Sequence, residues 1–273
     1  MNDPDCVEFL QWALPRLHLR WSGYRKVRRQ VCKRIDRRLK DLDLPNIAAY
    51  RAYLESHPTE WSVLDSLSRI PLSRFYRDKG VFQFLEREVL PQLAQNAVAD
   101  GRHQLRCWSI GCASGEEPYT LAILWKMALA PQFPDLGCHI LATDVDPHAI
   151  ERARKACYAA SSLKDLPDDW RTHAFNLIPE GCIVTSEYRE LVSLELQDIR
   201  TAALDGFFDL ILCRYVAFTY FDDVQQQKIL AKIEETLVPG GARVIGSTES
   251  RPGGVTALTL WTKDARVYRK DPA

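Results

Sequence analysis

The chain reads as an α/β protein: a mostly parallel sheet with crossover helices, preceded by a small all-helical segment. Three observations predict this. From residue 105 onward, short apolar runs alternate with helical periodicity, the rhythm of β–α–β units. One run ends in a glycine turn that opens straight into a helix, within 105–122. Ahead of residue 70 the patterns are helical only.

The 273 residues suit one large domain plus a small one, and 46% hydrophobic with 26% charged residues describe a globular chain that buries a full core. No apolar run approaches the ~18–20 residues that span a bilayer. MNDPDCVEFL lacks the basic-then-apolar pattern of an export signal, so no membrane insertion and a cytoplasmic location are expected. The eight cysteines include no C-x-x-C pair. They are expected to be reduced, forming neither a disulfide frame nor a metal site.

Taken in order, residues 16–40 hold eleven Lys or Arg against one acid, Asp36, in a chain of zero net charge. Val27, Val31, Ile35 and Leu39, with Cys32 beside them, form one apolar stripe on an otherwise basic helix. That face can be merely solvated, can dock nucleic acid through counterion release, or can steer an acidic protein surface; nucleic acid is the weaker of the docking readings. Asn46 can cap a helix through Ile47, Tyr50, Tyr53 and Leu54, and Thr59 can cap one through Trp61, Leu64 and Leu67. Residues 1–70 therefore read as a basic helical domain. Residues 71–100 read as a linker and an amphipathic helix (Phe82, Leu85, Val89), and 101–273 as the α/β domain.

The central stretch is LRCWSIGCASGEEPYTLA, 105–122. Gly111 and Gly115 end a buried strand and leave backbone N–H groups at a helix N-terminus, where no side chain blocks a ligand. A tight turn with acids capping a helix explains the same residues. Phosphate fits poorly: no lysine stands in Walker spacing, and Glu116 and Glu117 are acidic. A cationic ligand fits better, and S-adenosylmethionine carries a sulfonium and an ammonium. The next strand, CHILA (138–142), ends at Asp144, placed to accept two hydrogen bonds from a ribose diol. Asp146, before Pro147, fits the role of helix cap. A short helix is expected within 163–175, strands at 182–188, 191–196, 207–213 and 242–246, a helix at 224–237, a turn at Pro239-Gly240-Gly241, and a closing hairpin of 256–261 with 265–268.

The strings SRFYRD (73–78), WSIGCASGEEPYTLA (108–122), ATDVDPHAIERAR (142–154), FDLILCR (208–214), YFDDVQQQ (220–227) and PGGARVIGSTES (239–250) resemble the CheR-type chemotaxis receptor glutamate methyltransferases. The resemblance implies a class I methyltransferase fold: a Rossmann-like, mostly parallel seven-stranded sheet, an N-terminal helical domain, and a short β subdomain inserted at about 176–190. It implies S-adenosyl-L-methionine as cofactor, glutamate side chains of chemoreceptor cytoplasmic domains as acceptor, and an acidic receptor surface as partner for 16–40. By the same resemblance Ser73 and Arg77 contact the amino-acid end of the cofactor, and Gly111, Ala113 and Glu117 its methionine part. Asp144 would hold the ribose, with Val145 beside the adenine and Asp198 near the adenine edge. Tyr220 would stand next to the transferring methyl and, with Arg77, form the catalytic pair. The family's C-R-N-V-x-I-Y-F-D appears here as CRYVAFTYFD: Tyr215 replaces the Asn, and one residue is inserted before Tyr220. A tyrosine there can stack on the cofactor, occlude the pocket or reshape the acceptor side. Two other outcomes stay open from the sequence: an enzyme using the same cofactor on a small molecule, and a non-catalytic cofactor-binding docking module. A carboxylate acceptor is ionised at neutral pH, so its methylation needs no general base.

Overall fold

A computed structural model describes residues 2–201, 206–250 and 258–271. The chain divides into two compact units, residues 1–70 with Thr219–Gln227, and residues 71–218 with 228–273.

The first unit contains α1 (Asp3–Ala13), α2 (Trp21–Tyr24), α3 (Arg28–Asp41), α4 (Ile47–Ser56) and α5 (Glu60–Ser68). Val31, Ile35 and Leu39 of α3 are buried, as the stripe predicts, while Val27 lies just before the helix. Asn46 caps α4 through the Ala49 N–H, at 3.0 Å. Thr59 makes no such bond: it already has helical backbone, so its side chain is past the capping position. The basic helix is partly consumed within its own unit. Arg38 donates twice to buried Glu60, at 2.9 and 2.8 Å, and Glu60 also accepts from Tyr50. Arg34 donates to the Leu67 and Arg69 carbonyls, and Arg28 pairs with Asp3. Cys6 of α1 and Cys32 of α3 form a disulfide, which corrects the expectation that every thiol is reduced. The spacing of 26 residues carries no pairing signal, and only the packing of α1 on α3 brings the two Cα atoms to 6.0 Å. The segment from Thr219 folds into this unit: Leu19 bridges Phe221, and the Arg20 N–H donates to the Tyr220 carbonyl at 2.8 Å. Gly23 is needed there, because a Cβ would stand 2.2 Å from the Thr219 carbonyl oxygen.

The second unit is built on a seven-stranded sheet. Its strands are β1 (Gln104–Ile110), β2 (Gly137–Asp144), β6 (Val192–Leu196), β7 (Phe208–Cys213), β8 (Leu237–Val244), β9 (Leu258–Thr262) and β10 (Val267–Lys270), in the order β6-β2-β1-β7-β8-β10-β9. The first five in space are parallel, and β10 runs antiparallel to both β8 and β9. A second sheet, β3 (Cys157–Tyr158), β4 (Phe175–Ile178) and β5 (Gly181–Val184), has the order β3-β5-β4. The strand expected to run to Tyr188 stops at Val184, because Ser186–Arg189 turns into helix. The helices of this unit are α6 (Lys79–Phe84), α7 (Leu90–Ala99), α8 (Glu116–Leu124), α9 (Pro147–Lys155), α10 (Asp168–Ala174) and α11 (Ser186–Arg189). α12 (Ala217–Tyr220) and α13 (Asp223–Thr236) complete the chain order, and Ile229 and Ile233 of α13 are buried.

Pro239-Gly240-Gly241 is not a turn between elements. It is a bulge within β8: Phe208 pairs with Leu237 and Leu210 with Ala242, so Gly240, at φ 74°, absorbs the extra length. Thr256, where the closing hairpin is expected to start, lies outside the described residues, and β9 is described from Leu258. Six cysteines are free in this fold. Alkylation of the unfolded, unreduced protein is therefore expected to block six thiols, with all eight labelled only after reduction.

Candidate active site at the ends of the parallel strands

β1 lies between β2 and β7, so the chain leaves it in opposite directions at a topological switch point, where open α/β sheets form a crevice. The loop from β1 to α8 has three residues with left-handed backbone: Gly111 (φ 69°), Ala113 (φ 49°) and Gly115 (φ 93°). A Cβ on Gly111 would meet Val216 Cγ2 at 2.3 Å, and one on Gly115 would meet the Tyr158 hydroxyl at 2.9 Å. Ala113 pays the penalty of a side chain at positive φ and is pinned by its N–H, which donates to Asp144 Oδ2 at 2.8 Å. The Gly111 and Cys112 N–H groups donate to the Thr143 carbonyl, at 2.8 and 3.0 Å. The loop is thus strapped to the end of β2. These three N–H groups serve the strap, and the two glycines let the loop pack closely on Val216 and Tyr158.

Asp146 is the helix cap that its place before Pro147 suggests: it caps α9 through the His148 N–H at 2.9 Å. Asp144 accepts the Asp146 N–H on its other oxygen, also at 2.9 Å, so two backbone donors orient its carboxylate. Val145 follows, half-buried. Beyond β6, the Gln197 N–H donates to the Asp144 carbonyl at 2.9 Å, while the Asp198 carboxylate turns onto Arg200, at 2.7 Å.

A buried ionic network lies on the other side of the loop. Ser109 Oγ donates to Glu117 Oε1 at 2.8 Å, and Arg214 Nη1 to Glu117 Oε2 at 2.8 Å. Arg214 Nη2 reaches the Arg77 carbonyl and Asp78 Oδ2, both at 2.8 Å. The Arg214 side chain is only 2% exposed. Burial pulls its pKa down, and Glu117 and Asp78 outweigh that, holding it above the ordinary arginine value. Burial likewise raises Asp78, but the Tyr215 hydroxyl and Arg214 bring it below the usual carboxylate range.

Tyr215 (φ 59°) is held at several points. Its N–H donates to Glu249 Oε2 at 2.9 Å, an oxygen that also accepts the Gly246 N–H. Its hydroxyl donates to Asp78 Oδ2 and lies 2.9 Å from Ser247 Oγ. The Arg77 guanidinium sits 3.8 Å above its ring, and Arg77 Nη1 donates to the Leu72 carbonyl. The 71–78 stretch is tied to α8 by the Tyr76 N–H, which donates to Thr120 Oγ1 at 3.1 Å, and the Ser73 side chain lies close enough to Glu116 to lower its pKa against burial. Glu116 is buried, its Oε2 has no hydrogen-bond partner among the described residues, and burial raises its pKa.

Of the residues singled out from sequence, Gly111, Ala113 and Asp144 meet in one strap. Arg77, Glu117 and Tyr215 meet in one network, and Ser73 sits on the neighbouring Glu116. Tyr220 belongs to the first unit, where its ring packs on Tyr24 with centroids 5.1 Å apart. Sequence reasoning missed Asp78, Arg214, Ser247 and Glu249. The one available signal was a charged residue, Arg214, directly after the fully buried strand FDLILC.

Residues 72–265 match the family model described as CheR methyltransferase, SAM binding domain. The chain is 34% identical over 184 residues to a chemotaxis protein methyltransferase of Listeria innocua, covering 67% of each protein. It is 31% identical over 249 residues to a probable chemotaxis protein methyltransferase of Rhizobium etli, covering 85% of this chain and 91% of that one. It is 30% identical over 227 residues to chemotaxis protein methyltransferase 2 of Pseudomonas aeruginosa, covering 81% and 78%.

Two outcomes are expected from this geometry. Arg214→Ala strands Glu117 and Asp78, and should cost roughly 3–5 kcal/mol in denaturant unfolding. Glu116 has a folded-state pKa above its unfolded value, so its favourable contribution is complete below the unfolded pKa, near 4.5, and is lost as pH rises through the raised one. Glu116→Gln removes that loss, and its gain in thermal midpoint over the parent should grow as the pH is raised.

Proposed function

The chain belongs to the CheR methyltransferase family, and on that premise we propose that it methylates the side-chain carboxylates of glutamates in the cytoplasmic part of a chemoreceptor. It is an S-adenosylmethionine-dependent methyltransferase with a class I fold. The acceptor class rests on the relatives, which are chemotaxis protein methyltransferases. The basic α3 adds a charge complementary to an acidic receptor surface.

The residues present fit the cofactor by their chemistry. Glycines at 111 and 115 let the loop fold tightly against Val216 and Tyr158, acids rather than lysines flank the loop, and a fixed carboxylate ends β2. Asp144 would take the ribose diol, Val145 the adenine face and Asp198 the adenine edge. Ala113 and Glu117 would hold the methionine part, and Ser73 and Arg77 its carboxylate end. Tyr215 borders that end through Arg77. For Tyr220 the family likeness alone argues a place beside the transferring methyl.

The cofactor supplies an activated methyl group. The protein's part is alignment and exclusion of water, because an ionised acceptor needs no proton removed. The single observation that carries the cofactor placement is the bond from the Ala113 N–H to Asp144, which fixes the diol-binding carboxylate against the loop.

Asp144→Ala should weaken S-adenosylhomocysteine binding by more than about tenfold, or ~1.4 kcal/mol, in calorimetric titration. Incubation with methyl-labelled cofactor and receptor cytoplasmic domains should give label released by base as methanol. Base-resistant label would contradict an ester product.

A further inference from the structure

The conformation of Tyr215 is expensive. A side chain at φ 59° is strained, and such strain persists only where surroundings over-determine it. Here they do so from several directions. Glu249 takes its N–H, Asp78 and Ser247 bracket its hydroxyl, and its ring lies on Gly246, where a Cβ would stand 2.6 Å from Cε1. The neighbourhood is built to keep one aromatic ring in one place. On that ring the Arg77 guanidinium rests at 3.8 Å, a cation–π distance, with Nη1 tethered in the guanidinium plane to the Leu72 carbonyl. A guanidinium held by its face presents its remaining N–H donors edgewise, the geometry that pairs with a carboxylate.

We propose that Tyr215 is a positioning residue whose ring is the platform that orients Arg77 toward the carboxylate end of the cofactor. This rests on the assignment of Arg77 to that end. The hydroxyl serves the platform indirectly, since its bonds to Asp78 and Ser247 hold the ring and the π face holds the arginine. A small amide at 215 would give Arg77 no surface to lie on, so here the arginine's orientation depends on the tyrosine.

The test is S-adenosylhomocysteine affinity by calorimetry. Tyr215→Leu, similar in bulk without a π face, should weaken binding about five- to tenfold, in line with a partly buried cation–π contact. Tyr215→Phe should recover most of that loss. Phenylalanines of increasing fluorination at 215 keep the shape while draining the ring's negative face. Their affinities should fall in step with fluorination, and this series decides the matter even if Tyr215→Leu does not fold. In an Arg77→Ala background the whole series should be flat. A flat series with Arg77 present, or an undiminished decline with Arg77 removed, overturns the platform while leaving the assignment of Arg77 standing. An Arg77→Ala protein that binds like the parent overturns that assignment and the platform with it.

Discussion

A guanidinium taken out of water loses several kcal/mol of solvation, and the candidate site is arranged around repaying that loss for Arg214. Glu117 comes from the start of α8, Asp78 from the stretch before α6, and Arg214 from the end of β7. One buried cation therefore draws together segments separated by 97 and 136 residues. An apolar cluster of equal volume could stabilise the fold as well, but it would not dictate which way the groups face. The ion network fixes directions: Glu117 toward Ser109, the Arg77 carbonyl toward Arg214, and Asp78 toward the Tyr215 hydroxyl.

Four of the eight described non-glycine residues with left-handed backbone lie around this site: Tyr76, Asp78, Ala113 and Tyr215. Each has a named anchor: the Thr120 hydroxyl for Tyr76, Arg214 and the Tyr215 hydroxyl for Asp78, Asp144 for Ala113, and Glu249 for Tyr215. Ala113 and Tyr215 stand in the loops that leave β1 and β7, Tyr76 and Asp78 in the stretch before α6, and these hydrogen bonds offset their strain.

Much of this was legible in the chain. Strand periodicity exposed the parallel core, because strands covered on both faces read as unbroken apolar runs, as in FDLILC. The capping role of Asp146 followed from its place before Pro147. The partners of Arg214 could not be read, since pairing over such distances leaves no local pattern. The disulfide of Cys6 and Cys32 escaped for the same reason. The bulge at Gly240 was mistaken for a turn because Pro-Gly-Gly signals both, and only the register against β7 separates them. The strapping of Gly111, Cys112 and Ala113 onto Thr143 and Asp144 could not be read either, since it joins residues about thirty positions apart.

The helical unit is assembled from two stretches of chain that are far apart in sequence. Thr219–Gln227 returns to Leu19, Arg20, Gly23 and Tyr24 and completes their backbone bridge, carbonyl bond and ring packing. The customary dissection of a two-domain protein at its linker is therefore not neutral here. Severing the chain at residue 70 would leave the amino-terminal fragment without its bridging partner, and would leave Phe221 and Tyr220 in the remaining fragment stripped of the residues they fold upon. Loss of activity in such a fragment would report this missing partnership as much as any missing docking surface.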